Sequence, residues 1–341
     1  MSDAPKPYPA VVALTGACTD LGLETLRRLS DDPNIKKLIA LDVSAPDVLS
    51  DKVEFVHLDL SQPGAGMRIA DVLNEYKPDT FVHAAFLSAP THEGAWAHEL
   101  EDIGTMHVLD ACARHQPQRL VLFSTTLVYG AKPDQPTYLS EDSKLGGVTK
   151  SRFINDRIRA EEQVMRFARN HKNIDVCSLR FAKVLGPNSD NIFTRFLSRP
   201  VAPTLAGFDP LMQCVHEDDA IRAILLAIRK SARGTFNIVG KDVLPYTTLL
   251  ALLGRLPLPL PKPVATLIGK AMWATKLSEV PTTMIDHLQY SCVADESKAR
   301  KILGFEAKYD IRQTLAEFLG MPMEPTPLPK PTTTRLATWM N

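Results

Sequence analysis

The sequence predicts an α/β protein in which a doubly wound parallel sheet is followed by a smaller C-terminal α/β domain. Three observations predict this class. An apolar strand, a glycine-bearing turn and a helix open the chain at residues 11–32. Strand and helix patterns then alternate as far as Pro187, an order typical of a parallel sheet covered on both faces. Beyond Pro187 the segments are shorter and separated by prolines, which indicates a second unit.

The first strand, turn and helix have the arrangement of a dinucleotide-binding motif. Gly16 would allow the tight turn, and Gly22 would let the helix pack closely on the strand. Thr19 stands where this fingerprint usually has a third glycine, so it either holds a phosphate farther away or contacts it through its hydroxyl. The helix N-terminus would face the pyrophosphate. The cofactor-binding residues predicted for this turn are Gly16, Thr19, Asp20, Leu21 and Gly22.

The second strand ends in Asp42, 20 residues after Gly22. An acid at this place holds the ribose 2′-hydroxyl in dinucleotide-binding units and repels a 2′-phosphate. We therefore expect NAD or NADH to be preferred over NADP. The alternative interpretation of Asp42 is a turn residue at a strand end.

Further strands and helices complete the first unit. Strands are predicted at residues 53–58, 80–86, from 119 onward, and at 176–187. Helices are predicted before Pro78, at 100–117 and at 153–171. In the helix at 100–117, Ile103, Val108, Leu109 and Cys112 are expected to face inward.

The second unit has a different pattern. Helices are predicted at 217–230, 246–256, 264–277 and 311–319, with a short strand at 236–240 and a stiff proline-rich connector at 257–263. The helix at 264–277 is amphipathic, and its apolar stripe either packs on the second unit, lines an apolar ligand pocket or touches lipid. The predicted division is a disordered lead-in at 1–9, a nucleotide-binding unit at 10–187 whose sheet can receive later segments, a substrate unit at 188–320, and a disordered tail at 321–341.

Composition excludes several partners. Lys plus Arg and Asp plus Glu both number 39, so charge gives no reason to expect nucleic acid. Five cysteines form no Cys-x-x-Cys pair, which favours free thiols in a reducing, cytoplasmic setting. No signal peptide and no apolar run of about 18 residues is present, so a membrane span is not expected.

Taken together, the motifs resemble the extended short-chain dehydrogenase/reductase family, of the NAD-dependent epimerase/dehydratase type. The similar stretches are TGACTDLG at 15–22, HAA at 83–85, STTLVYG at 124–130, SLRFAKVLGP at 178–187, QCVHEDDA at 213–220 and GTFNIVG at 234–240. The resemblance implies a Rossmann-type fold and NAD as cofactor. It also implies cofactor contacts at Asp42, Asp59, Leu60, Ala84, Ala85, Phe181 and Val184.

The same resemblance points to an altered reaction centre. Members of this family use a Tyr-x-x-x-Lys pair as acid/base and ribose holder, with a Ser or Thr to orient the substrate. Thr125 matches the hydroxyl position, but Phe153 stands at the Tyr position and Arg157 at the Lys position. A register shifted by two residues gives Asn155 and Arg159, and no tyrosine of the chain has Lys four residues later. Other proton-transfer candidates are His83, Asp156, and His216 with Glu217 and Asp218, each with a structural role as the alternative.

Three hypotheses follow. The chain is an atypical NAD-binding member acting slowly on an apolar or unknown substrate, a non-enzymatic NAD(H)-dependent sensor or scaffold, or an active oxidoreductase or epimerase with a non-standard acid/base. No metal-ligand spacing is found. The family resemblance implies a homodimer through the helices near 100–115 and 153–170, and peripheral contact with a membrane is an open alternative.

Overall fold

The computed structural model describes residues 7–146 and 151–321. Its strands are β1 (Val11–Thr15), β2 (Lys37–Asp42), β3 (Val53–His57), β4 (Thr80–His83), β5 (Arg119–Thr125), β6 (Asp175–Phe181), β7 (Lys183–Leu185), β8 (Val201–Leu205), β9 (Leu211–His216), β10 (Gly234–Ile238), β11 (Val243–Pro245) and β12 (Leu256–Leu260). Its α-helices are α1 (Asp20–Ser30), α2 (Ala65–Tyr76), α3 (Gly94–His98), α4 (Gly104–His115), α5 (Arg152–Asn170), α6 (Ile192–Leu197), α7 (Glu217–Arg229), α8 (Tyr246–Leu252), α9 (Lys262–Ala274) and α10 (Ile311–Phe318).

Seven of the strands form one parallel sheet in the order β10-β6-β5-β4-β1-β2-β3. The chain order reverses between β1 and β4, which are neighbours. In such sheets ligands bind where the strand order reverses, outside the carboxyl ends of the strands. The predicted doubly wound, Rossmann-type sheet is confirmed.

Both faces of this sheet are covered, as the alternating strand pattern requires. Val12 and Leu14 pack into a cluster with residues of α1 and α7. Ala13, which points to the opposite face, packs into a cluster with residues of α2 and α4. The sheet is therefore a buried middle layer between two layers of helices.

Segments beyond Pro187 return to this first unit. β10 pairs with β6 at the sheet edge, and α7 lies beside α1. Two ion pairs of 2.7 Å join these helices and their flanks, Arg28–Asp218 and Arg229–Asp32. The division of the chain at residue 187 stays a prediction, but the sheet does receive later segments.

The remaining elements build the second unit. One small sheet has the order β11-β9-β7, and β8 pairs with β12 in a two-stranded ribbon. Leu185, Met212 and Leu249 belong to its apolar cluster, together with residues of α6 and α10. Within the described residues, no helix is both long and apolar enough to cross a membrane.

Four element predictions need correction. Residues 176–187 are not one strand: the chain leaves the large sheet after Phe181, and β7 joins β9 in the small one. The predicted proline-rich connector overlaps a strand, since Pro257 and Pro259 belong to β12. An edge strand tolerates prolines whose nitrogens face away from the partner strand. The helix predicted at 246–256 ends at Leu252, just before Gly254 at φ +65°.

The fourth correction concerns the helix predicted at 100–117. Its first turn, Glu99–Ile103, is wound as π-helix between α3 and α4. The wider turn shifts the buried face, so Glu101 and Asp102 are buried whereas Ile103 is only half-buried.

The lead-in is shorter than predicted. Tyr8 donates its hydroxyl to the Asp32 carboxylate, and Arg119 Nη2 donates to the Pro7 carbonyl at 2.8 Å. Residues 7–9 are therefore fixed on the first unit. Residues 1–6 of the lead-in, and all of the tail after Met321, lie outside the described residues.

Candidate cofactor and substrate site

The turn between β1 and α1 depends on two glycines. Gly16 has φ +72°, and a Cβ there would lie 2.5 Å from the backbone of Ala84, which directly follows β4. A Cβ on Gly22 would lie 2.0 Å from the carbonyl oxygen of Gly16. Both positions exclude a side chain because backbone segments approach each other closely, as the sequence predicted.

Thr19 caps α1. Its hydroxyl donates to the Gly16 carbonyl at 2.7 Å and accepts from the Gly22 N–H at 3.2 Å. This hydroxyl is engaged inside the turn, while the N–H groups of Asp20 and Leu21 belong to the first turn of the helix, where intrahelical partners are lacking. The Asp20 carboxylate crosses to the second unit and accepts from the Asp190 N–H at 2.6 Å, and burial raises its pKa.

Asp42 also binds the turn. Its carboxylate accepts from the backbone N–H of Cys18 at 2.9 Å and of Val43 at 2.7 Å. The carboxylate is thus fixed beside the glycine turn at the end of β2.

Asp59 and Leu60, the next predicted pair, follow β3. Asp59 accepts from the N–H and hydroxyl of Ser61 at 2.9 and 2.6 Å, and Leu60 is buried against Gly104.

A cavity of about 450 Å³ runs from this turn into the second unit. Nine of the residues predicted for the site line it: Thr19, Asp20, Leu21, Ala84, Thr125, Phe153, Arg157, Phe181 and Val184. Gly16, Gly22, Asp42, Asp59, Leu60 and Ala85 are not among the lining residues. Most of the other lining side chains are apolar, from Phe86 and Phe123 on the sheet side to Phe196, Met212, Ile268 and Met272 of the second unit.

Arg157 is held firmly in the cavity wall. Its guanidinium lies between the rings of Phe86 and Phe153, 5.1 and 4.9 Å from their centroids. It donates to the Leu87 carbonyl and lies 3.3 Å from the buried Glu101 carboxylate. Burial raises the pKa of Glu101, and the charge of Arg157 opposes that rise. Phe153 beside it carries no proton to transfer.

The other proton-transfer candidates are occupied elsewhere. His83 is buried between the hydroxyls of Thr15 and Thr105 at 2.8 and 3.0 Å, and burial lowers its pKa to about 3. Asp156 faces His98 at 3.0 Å and is not among the lining residues.

His216 caps α7 and contacts Glu317 at 2.9 Å, while Asp218 pairs with Arg28. Glu217 lines the cavity but accepts from Asn188 and Ser189. None of these groups is a free acid or base facing the cavity.

Among the lining residues that the sequence analysis did not assign to the site, three polar ones matter for its chemistry. Ser124 precedes Thr125 on β5, and its buried hydroxyl has no partner among the described residues. Lys183 lies in SLRFAKVLGP, the stretch that resembles the LRxxNVYGP motif of the family, and stands where that motif has Asn, a departure that could have identified it. His287 lies in a 3₁₀ turn at Thr282–Leu288 for which no motif exists.

The cavity fits a dinucleotide. The Ser124 hydroxyl and Arg157 Nε are buried polar atoms without a partner in the described structure, and both residues face the cavity beside β5 and α5. The first-turn N–H groups of α1 lie at its other end. A bound dinucleotide would supply polar partners to both ends, and its nicotinamide ring would supply hydride chemistry.

Known proteins agree with this assignment. The model of the NAD dependent epimerase/dehydratase family matches residues 12–239. An uncharacterized protein of Mycobacterium tuberculosis is 35% identical over 309 residues, covering 89% of this chain and 81% of the relative. A short-chain dehydrogenase/reductase family 42E member 1 of Xenopus laevis is 26% identical over 133 residues, 36% of this chain and 34% of its own.

Solved structures share the whole architecture. MoeE5 in complex with UDP-glucuronic acid and NAD has a TM-score of 0.71 at 20% identity, covering 91% of this chain and 97% of its own. UDP-glucose 4-epimerase of Thermotoga maritima with UDP-glucose has a TM-score of 0.70 at 19% identity, with the same coverage. At these identities the likeness shows the fold. From the family match, this chain belongs to the NAD dependent epimerase/dehydratase family, a family of NAD-binding Rossmann-fold oxidoreductases.

Proposed function

We propose that this protein binds NAD or NADH along the carboxyl edge of its sheet and takes an apolar substrate in the adjoining cavity. It would transfer hydride between them, and the hydroxyl proton lost or gained in the same step would exchange with solvent water instead of a tyrosine–lysine relay. The observation that carries the proposal is the cavity, which joins the glycine turn to a largely apolar wall. Phe153 and Arg157, which the sequence alignment puts at the relay positions, line it.

The cavity wall supports an apolar substrate rather than a sugar nucleotide. Sugars and nucleotides need many polar partners, because burying hydroxyl groups without hydrogen bonds is costly. The second unit instead presents Phe193, Phe196, Met212 and Met272 to the cavity. UDP-glucuronic acid and UDP-glucose are ligands of the structural neighbours, and we do not extend them to this chain.

The residues around the cavity have separate roles in this proposal. The first-turn N–H groups of α1 bind the pyrophosphate, and Asp42 binds the ribose diol, which favours NAD over NADP. Thr125 and Ser124 orient the reacting oxygen and the nicotinamide end. Phe153 adds an aromatic ring to the apolar wall, and Arg157 closes the wall by its contacts with Glu101 and Leu87.

A second candidate function is a non-enzymatic NAD(H)-dependent sensor or scaffold. The contacts of Arg157 with two aromatic rings and with Glu101 favour the sensor. To hold the nicotinamide ribose as an enzyme of this family would, Arg157 would have to release Glu101. A third hypothesis, with Asp156 as acid, is weakened by the contact of that carboxylate with His98.

Helix α9 supports contact with a lipid surface as the source of an apolar substrate. No residue of α9 is fully buried, and Val264, Leu267 and Ile268 are exposed while Ala265 and Met272 line the cavity. From Arg255 to Ser278 the chain carries four cations and no carboxylate. A basic helix with an apolar face is typical of segments that lie on anionic membranes.

A cytoplasmic location and a homodimer remain predictions.

The restoring double variant Phe153→Tyr with Arg157→Lys tests the reaction. We expect hydride transfer with apolar alcohols, followed at 340 nm with NAD, to rise about 100-fold, since a positioned acid/base typically contributes about 10²–10⁴. Phe196→Tyr is the matched control, because it adds the same hydroxyl elsewhere in the cavity. Zero turnover in wild type and double variant, with NAD still bound, would contradict the enzyme proposal and favour the sensor.

A further inference from the structure

Most charged groups at the wall of the cavity are already paired, and Arg199, which also lines it, is exposed. Asp20 binds the Asp190 N–H, and Glu217 binds Asn188 and Ser189. Arg157 is paired with Glu101, and Glu24 with Arg28. These contacts leave few groups that could recognise a polar part of a ligand.

His287 is the first exception. Both of its ring nitrogens are buried and have no hydrogen-bond partner among the described residues. Burial, with a contribution from the charge of Lys183, lowers its pKa to about 3. The imidazole is therefore neutral near pH 7 and offers one N–H donor and one acceptor. A buried polar group without a partner destabilises the folded state, so its presence at a cavity wall indicates a ligand.

Lys183 is the second exception. Its ammonium lies 5.4 Å from the centroid of the Phe193 ring. It takes part in no ion pair and no hydrogen bond within the part of the chain that the structure describes. A half-buried ammonium at an apolar wall is best neutralised by an anion.

We propose that Lys183 and His287 form an oxyanion subsite, which binds the carboxylate or phosphate head group of a ligand whose apolar body fills the rest of the cavity. Lys183 supplies the charge and His287 an N–H donor, while Met272, Phe193 and Leu288 contact the apolar body. The ligand class is an amphipathic anion, such as a long-chain carboxylate or an alkyl phosphate. This subsite rests on the proposed function, because it needs an apolar ligand in the same cavity.

The test is calorimetric titration of the full chain, saturated with NAD, with three twelve-carbon probes below their micelle concentrations. The probes are dodecanoate, dodecyl phosphate and dodecanol. We expect one of the two anions to bind at least about tenfold more tightly than the alcohol, since hydrogen bonds to charged groups contribute about 1.5–3 kcal/mol. The preferred anion identifies the head group as carboxylate or phosphate.

Two variants and one control test whether Lys183 and His287 cause the preference for the anion over the alcohol. Lys183→Met and His287→Phe should each weaken anion binding about tenfold and leave dodecanol binding unchanged. Lys270→Met removes an exposed cation of α9 that does not line the cavity. It should change neither anion binding nor dodecanol binding. Unchanged NAD affinity shows that each variant is folded.

Three results would overturn the subsite. Equal affinities for anion and alcohol remove the head-group preference. An equal loss of anion binding in the Lys270→Met variant assigns the effect to surface charge. Displacement of the bound NAD by the anion assigns Lys183 to the cofactor site. If no probe binds at all, the proposal of an apolar ligand in the cavity fails. If all three probes bind equally, only the oxyanion subsite fails.

Discussion

At the residue scale, the nucleotide turn is determined by what its glycines exclude. The sequence pattern identified Gly16 and Gly22, and the structure gives the reason for each, since the space that a Cβ would take is filled by backbone. Thr19 could not be interpreted from sequence, because its hydroxyl bonds depend on how the turn closes.

Gly16→Ala should lower the free energy of unfolding by more than about 2 kcal/mol, because it adds a steric clash with Ala84 to an unfavourable positive φ. Gly64→Ala is the control, since no atom lies within 4 Å of the position that a Cβ would take there and its φ is −83°. Urea denaturation followed by circular dichroism measures both. Similar midpoints for the two variants would contradict the packing argument.

His83 should make stability depend on pH. Its pKa in the folded protein is about 3, against an ordinary value of 6.5, so the unfolded chain binds the proton more readily between these values. Its contribution to stability is complete above pH 6.5 and is lost as pH falls toward 3, by at most about 1.4 kcal/mol per pH unit.

His83→Gln should therefore show a shallower loss of stability between about pH 6 and pH 4 than the wild type. Denaturation at a series of pH values measures the slope, with His57→Gln at an exposed position as the control. Parallel profiles for wild type and His83→Gln would mean that His83 is not held neutral by its burial.

At the scale of elements, α9 has two faces with separate expected roles. Leu267 is 70% exposed and lies outside the cavity, whereas Ile268 lines it. The amphipathic pattern was visible in the sequence. Which residues face the cavity depends on the packing of α9 against the turn at Thr282–Leu288 and against β8, which no local pattern records.

Leu267→Asp should reduce binding to anionic phospholipid vesicles about tenfold and leave binding of an apolar ligand in the cavity unchanged, because burying one leucine contributes about 1.5–3 kcal/mol. Ile268→Asp should weaken both. Vesicle flotation and calorimetry measure the two properties. Leu49→Asp serves as the control at a fully exposed leucine outside α9, and an equal loss of vesicle binding there would contradict a specific lipid-binding face.

At the scale of the whole molecule, the proposed cofactor site lies on the first unit beside contacts that cross to the second. Asp20 reaches Asp190, and residues of the segment 188–191 border the cavity. Ligand binding to the folded state raises its stability by mass action, so cofactor preference can be measured as a change in melting temperature.

We expect NAD and NADH to raise the melting temperature, and NADP to raise it less, because the Asp42 carboxylate repels a 2′-phosphate. At a free ligand concentration of about 100 times the dissociation constant, binding raises the free energy of unfolding by about 2.7 kcal/mol. Asp42→Asn should reduce the difference between NAD and NADP by about tenfold in affinity. Glu24→Gln, which removes the charge of a carboxylate that lines the cavity, is the control. An unchanged preference in Asp42→Asn would end the assigned role of Asp42.

The doubly wound sheet, the glycine turn and the family all follow from sequence alone, because they depend on local periodicity and on residues close in the chain. The replacement of the relay tyrosine by Phe153 stays a prediction from the same sequence. Folding determines what Arg157, Asp156 and His83 contact, and it brings Lys183 and His287 to one cavity wall. It also returns α7 and β10 to the first unit and places β12 beside β8. These outcomes depend on contacts between residues far apart in sequence, which are fixed only when the layers pack together.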